Sequence, residues 1–406
     1  MFDWLKRVSN KIDKVGPQYS DSHHLNVKAS KVSSIVACNT LGSPVWTPRR
    51  YDKLADEGYQ KNVIVYRAVN LISRGAASVP WRLYNGREEI HEHEILDLLH
   101  SPNPRQAGSA FVESVLGYLL LAGNSYIEAV MDDYGNPAEL YSHRPDRMKV
   151  IPGRSGIPVA YEYEVNGQKR TMPVDGENGA STVLHLKFFH PLNDWYGLSP
   201  IETAACSIDQ HNAVASHNLA LLQNGGRPSG ALMVGKSGDK MPLTTEQREI
   251  LKQDVQDLYE GNKNAGRVMV LEGEFEWKEM GLSPKDLDFI EGRNLSAREI
   301  AQAYNVPPML VGIPGDATYS NYKEARLHLW EDTILPLLDY FTDELNLWLV
   351  NHYGRRLRLT YDIDGIPALA KRREDAWAKI QAASFLTVNE KRQAVGYEPI
   401  EGGDTL

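Results

Sequence analysis

Gly230, Gly235, Lys236 and Ser237 satisfy the Gly-x4-Gly-Lys-Ser expression of a phosphate-binding loop. In that chemistry backbone N–H groups cradle the phosphates, the lysine reaches the outer ones and the hydroxyl holds Mg2+. Downstream, an apolar run over 268–271 ends at Glu272, the pattern of a magnesium-holding acid. The surrounding residues oppose the match. Ala231, Leu232, Met233 and Val234 favour a strand rather than a loop. Gly238, Asp239 and Pro242 follow where a helix should begin. The span reads as a strand and its turn, with a P-loop NTPase using Lys236 kept as the alternative.

The histidines offer little more. His91 and His93 alternate with Glu92 and Glu94, which lacks the i, i+4 spacing of a helical metal face and reads as solvated surface. His211 and His217 are six apart and face different sides of one helix. His143, His185 and His190 have no Gly-x-Ser-x-Gly elbow to serve. Cys38 and Cys206 are too few for a disulfide framework or a four-cysteine zinc site. Trp330, Tyr340, Phe341 and Trp348 read as packing rather than as base-stacking platforms. No catalytic constellation, cofactor motif or metal set emerges.

The elements around these residues organise the chain. Phe2, Leu5, Val8, Ile12 and Val15 have helical spacing with basic residues between them, so a short amphipathic helix opens an extended arm over 1–50. Helices are expected over 62–78 and 109–122, and a hairpin turn at Asn85-Gly86. Strands over 124–131, 148–151, 158–165 and 182–189, separated by turn signals, suggest an antiparallel meander. Residues 51–198 thus read as an α+β body. Ser199, Pro200 and Glu202 start a helix that stops at Gly225-Gly226, its stripe of Ile201, Ala204, Ala205, Ile208, Ala215, Leu219 and Leu222 suited to close helix contact. A compact insert follows over 227–281, with strands over 230–234 and 267–271 and a helix over 244–259. Ser283-Pro284 then opens a second helix, and the two read as an antiparallel stalk. Ser296 and Glu299 form a further capping-box signature. After the Gly- and Pro-rich loop 312–320, a helix is expected over 321–352, ~48 Å long at ~1.5 Å per residue. Pro336 should kink it. A tail helix over 368–384 and a capping box at Thr387 and Glu390 close the chain.

Length and charge bound the class. At roughly 150 residues per domain, 406 residues predict two or three domains. A hydrophobic share of 42% and a charged share of 24% suit a globular core. The longest apolar stretch, 115–122, falls far short of the ~20 residues of a membrane span, and no secretory leader is visible, so a soluble cytosolic protein is expected. The net charge is −9, but residues 1–50 hold eight Lys/Arg against three Asp/Glu, leaving 36 against 50 for the rest. Tight general DNA binding needs a basic surface. DNA passing close by does not.

The order of parts resembles the portal proteins of tailed bacteriophages, of the short siphophage type also found in prophages and gene transfer particles. The phrases that carry the resemblance are Tyr196-Gly197-Leu198-Ser199-Pro200-Ile201, Asn224-Gly225-Gly226-Arg227-Pro228-Ser229-Gly230 and Ile300-Ala301-Gln302-Ala303-Tyr304-Asn305-Val306-Pro307-Pro308. Ala317-Thr318-Tyr319-Ser320-Asn321, Thr333-Ile334-Leu335-Pro336 and Thr387-Val388-Asn389-Glu390-Lys391-Arg392 complete the set.

The resemblance implies an α+β portal fold: an α/β wing, a helical stem, a small α/β clip, a long kinked helix with a tunnel loop, and a helical crown. The arm would be 1–50, the wing 51–198 and 305–352, the stem helices 199–226 and 282–304, the clip 227–281 and the crown 353–406. The tunnel loop over 312–320 would put Pro314, Gly315, Asp316, Thr318, Tyr319 and Asn321 at the DNA channel, with Pro336 as the helix hinge. It implies a homo-oligomeric ring, usually of twelve subunits, at the unique capsid vertex, assembled in the host bacterial cytoplasm and carried in the virion. Partners would be double-stranded DNA passing through the channel, the large terminase, a head–tail adaptor and the major capsid protein, with no membrane and no cofactor. The ring itself would hydrolyse nothing. A non-phage structural scaffold is the other alternative.

Overall fold

The structure is a computed structural model and describes Thr47, Arg50, residues 51–153, 156–175, 180–223, 230–234, Glu246, Glu249, and residues 275–279, 289–315, 319–354, 356–395 and 397–405. The arm helix over 1–15, Lys236, the expected strand 267–271, most of the helix 244–259 and the loop residues Asp316 and Thr318 lie outside the described residues.

Helix α1, Val63–Ala77, begins at Asn62, whose side-chain oxygen accepts from the N–H groups of Ile64 and Val65. It buries Val65, Ala68, Val69 and Ile72 against α3, Gly108–Ala122. Between them lie the hairpin β1, Trp81–Asn85, and β2, Glu88–Ile90, and the short helix α2, Glu94–His100. The hairpin turns at Gly86 and Arg87, one residue past the expected pair, because Asn85 still pairs with Glu88 and Gly86 takes the positive φ of 67°.

Two three-stranded antiparallel sheets follow in place of a single meander. Strand β3, Asn124–Met131, pairs with β4, Pro137–His143, on one side and with β8, Val183–Lys187, on the other. The intervening β5, Met148–Ile151, β6, Ala160–Val165, and β7, Gln168–Pro173, form their own sheet. Met148, Val150, Tyr161 and Met172 from that sheet pack on Tyr126 and Val183 as a second, smaller core. Strand β8 lies beside β3 with Leu184 and Leu186 in the main core and Val183 facing the smaller one.

A helical turn, Pro200–Thr203, is capped by Ser199 Oγ, which accepts from Glu202 N–H at 3.1 Å. After a break at Ala204 the helix α4, Ala205–Gln223, runs on. It lies antiparallel to α5, Phe289–Ala303, since Ser207 reaches Glu299, Gln210 meets Ser296 and His211 meets Arg293. Ser296 therefore caps nothing. It sits inside α5, and its hydroxyl turns across to Gln210. Strands β9, Gly230–Val234, and β10, Phe275–Glu279, pair antiparallel in the insert.

The expected long helix is three segments: α6, Tyr319–Leu329, a π-helical stretch Trp330–Ile334, and α7, Leu335–Trp348. The π stretch passes so close to α1 that a Cβ on Gly75 would stand 2.7 Å from Ile334 Cδ1. Strand β11, Leu357–Tyr361, which the sequence reading does not contain, returns to pair with β1 over Trp81↔Tyr361 to Asn85↔Leu357. Helices α8, Ala370–Ala382, and α9, Val388–Ala394, end the chain, the latter with the expected Thr387–Glu390 capping box. One apolar core joins α1, α3, α5, α7 and Leu359.

Candidate functional site

Helix α5 ends in a Schellman motif, with Asn305 N–H donating to Gln302 O and Val306 N–H to Ala301 O. Asn305 takes the left-handed position, φ 52°. Pro307 and Pro308 prevent the helix from resuming, and a 3-10 turn, Pro308–Val311, carries the chain to Gly312 at φ 85°. Ile313 is buried in the main core. The chain leaves the body at Pro314, whose carbonyl accepts from the Arg298 guanidinium of α5 at 2.9 Å, and Gly315 is exposed.

The helix that follows is only half embedded. Ser320, Asn321, Tyr322, Lys323 and Glu324 are exposed, and burial begins at Ala325 and Leu329. The first turns of α6 thus stand clear of the core. At the π stretch Leu335 N–H bonds Trp330 O, and Pro336 follows with no N–H to give. The change in winding therefore precedes the proline and is shared with it. A groove of about 420 Å³ lies beside this bend, lined by Arg298, Gln302, Asn305, Val306, His328 and Asp332. His328 Nδ1 and Asp332 Oδ2 are 3.0 Å apart within it.

Of the residues singled out for the channel, Pro314, Gly315 and Asn321 are described, and each is exposed. Tyr319 opens α6 rather than lying in the loop. Sequence reasoning missed Arg298 and Asn305, which hold this stretch to α5. The only local signal was Asn305 followed by Val-Pro-Pro, the mark of a left-handed helix end.

The other candidate chemistries dissolve into structure. In β9, Ala231 to Val234 pair residue for residue with β10, so their backbone groups serve a ladder, where a phosphate loop needs them free. His93 is the N-cap of α2, its Nδ1 accepting from Ile95 N–H, and it packs edge-on to Tyr353. His211 is buried between Asn62 and Arg293, and burial, then the Arg293 charge, hold its imidazole below the usual value.

Within the body, Glu128 is buried beside His143 at 2.7 Å and Arg170. Burial pushes this carboxyl up, but hydrogen bonds from His143 and Arg170 outweigh it and leave the group below the usual range. His185 stacks on Tyr126 with ring centroids 4.3 Å apart, and its Nε2 lies 3.0 Å from Asn124 Oδ1. Burial, then Lys187, push its pKa down to about 3, so the ring is neutral at pH 7 and donates to Asn124. These are cross-braces between strands. Among the described residues no three His, Cys, Asp or Glu stand together as a metal site, and no helix is long and apolar enough to cross a membrane.

Known proteins resemble this chain over most of its length. The family profile described as "Phage portal protein" matches residues 63–396. The portal protein of Enterobacteria phage HK97 is 25% identical over 360 residues, covering 86% of this chain and 82% of that one. A chain from the neck of an empty gene transfer agent particle, computed with C6 symmetry, is 43% identical, with a TM-score of 0.70 over 88% of this chain and 96% of that one. In the neck of the native particle, computed with C12 symmetry, the matching chain gives 0.68 at the same identity and coverage.

Proposed function

Because the chain belongs to the phage portal protein family, we propose that it builds the ring at the unique vertex of a capsid, through which double-stranded DNA enters during packaging and leaves during ejection. The observation that carries this reading is the 43% identity, across 88% of the chain, to a subunit from the neck of a gene transfer agent particle. The neck computed with C12 symmetry supports a dodecamer here. A portal is a structural protein rather than an enzyme. In this reading the ring, assembled in the host bacterial cytoplasm, receives the large terminase on its clip and later a head–tail adaptor, and sits among major capsid proteins in the virion.

The chain's own surfaces fit a closed ring. Leu219 on α4 and Ile290 and Leu295 on α5 are 55%, 76% and 59% exposed on the paired helices that the reading assigns to the stem. A head-to-tail contact must bury such surface on every subunit and close, since one that does not close makes filaments. Outside the basic arm the chain is acidic, which lets DNA slide, because phosphate-neutralising contacts would slow every step. We assign the stretch 312–320 to the tunnel loop and the start of α6, with Gly315 as the pivot beyond the buried Ile313, Asp316 repelling phosphates, Thr318, Tyr319 and Asn321 touching them weakly, and Pro336 as hinge.

Imaging of the purified protein tests the reading. Hollow rings of about 0.5 MDa, near twelve times the 45.6 kDa subunit, are expected. A compact monomer at micromolar concentration in every salt tried would overturn it.

A further inference from the structure

Pro336 leaves the long helix with a backbone acceptor to satisfy. In α register an N–H at position 336 would bond the Asp332 carbonyl, and in the π register of Trp330–Ile334 that of Glu331; proline has no such hydrogen, so these two carbonyls share one donor fewer. In the structure Asn305 Nδ2 donates to Asp332 O at 3.0 Å. Thr333 Oγ1 donates back to Asn305 O at 2.7 Å. Two bonds of opposite sense thus join the end of α5 to adjacent residues of the bend. Asn305 occupies the left-handed cap position, where glycine is the commoner residue and would satisfy the backbone alone. The asparagine side chain adds a donor at the point where the helix lacks one.

A second hold lies two turns earlier on α5. Arg298 donates to Pro314 O at 2.9 Å, where the chain becomes exposed at Pro314 and Gly315. The last turns of α5 therefore grip both the chain at Pro314 and the bend of the helix that follows. His328 and Asp332 line the same groove as Arg298 and Asn305.

We propose that Asn305 is a positioning residue for the kinked helix: it supplies to Asp332 a hydrogen bond in place of the one that Pro336 cannot give the bend, so that the end of α5 sets the bend from which α6 runs. A shift of α5 then reaches Pro314 through Arg298 and the bend at Asp332 through Asn305, without opening the apolar core. The consequence for DNA rests on the assignment of residues 312–320 to the channel, whereas the clasp itself does not.

The test is amide exchange over residues 319–335 in the assembled ring, with encapsidated DNA measured in parallel. Asn305→Gly keeps the left-handed cap and removes the donor. Asn305→Asp keeps the side-chain size and replaces the donor by an acceptor. Pro336→Ala restores the helical N–H. Either Asn305 variant should raise exchange about tenfold while rings still form, and the increase should fall below about twofold in the Pro336→Ala background. No increase, or the same increase in both backgrounds, overturns the clasp. Raised exchange with reduced DNA content, both recovered in the double variant, supports the clasp and its consequence. Raised exchange with normal DNA content supports the clasp and overturns the channel assignment of the loop.

Discussion

His185 is the residue at which folding and protonation are most tightly linked. Folded, its pKa is about 3, against an ordinary value of 6.5, because burial and then Lys187 disfavour the cation. The unfolded chain therefore takes the proton first. The stabilisation from a neutral His185 is whole above pH 6.5 and is lost as pH falls from 6.5 toward 3, at about 1.4 kcal/mol per pH unit. His185→Gln retains a donor for Asn124 but cannot titrate. We expect the stability difference between wild type and this variant, from urea unfolding, to shift by about 2 kcal/mol against wild type between pH 7.5 and 5. Parallel pH profiles would show that the imidazole is not buried in its neutral form.

At the scale of elements, two glycines separate packing from propensity. Gly197 and Gly123 bring two backbones into contact where the chain leaves β8 for α4. A Cβ on Gly197 would stand 2.2 Å from Gly123 O and 2.6 Å from Phe188 N, and these are main-chain atoms with nowhere to go. Asn124 locks the same crossing by accepting from Gly197 N–H at 2.8 Å. Gly197→Ala should cost about 3 kcal/mol, read as a clear fall in melting temperature or in soluble yield. Gly117, inside α3, has nothing within 4 Å of its would-be Cβ. Gly117→Ala should raise stability by about 0.5–1 kcal/mol, because alanine loses less backbone freedom in a helix. Equal melting temperatures for the two variants would refute the assigned crossing.

For the whole molecule, the loop that we assign to the channel is the part whose change should leave assembly intact. Ile313 is buried and Pro314 O is held by Arg298, so the replaceable stretch begins only at Gly315. Exchanging 315–318 for Gly-Gly keeps both anchors. Rings and their incorporation into capsids should be normal, while encapsidated DNA falls or leaks on storage. Full particles that stay filled would remove these residues from the channel. Lys236→Ala, in contrast, should change neither assembly nor DNA content. ATP hydrolysis by the purified wild-type protein, lost in that variant, would restore the nucleotide-site alternative.

Helix starts at Asn62, Ser199 and Thr387 and the bend near Pro336 were all legible in the sequence. Each is a matter of a few neighbouring residues satisfying or withholding backbone hydrogen bonds. The family resemblance was legible for a different reason, since the order of such local signals along the chain is itself specific. Tertiary structure alone decided what lies far apart in the chain. Strand β11 joins β1 because Leu359 and Tyr361 find their apolar partners there, which no local pattern specifies. The same holds for β8, which leaves the meander to pair with β3 and pack on α7, and for Ser296, whose capping signature is overruled by a continuous helix packed on α4. Asn305 shows the division most clearly. Its left-handed cap follows from its own segment, but the carbonyl it serves lies at a bend near a proline on another helix, and only the packing of α5 against the bend brings donor and acceptor together.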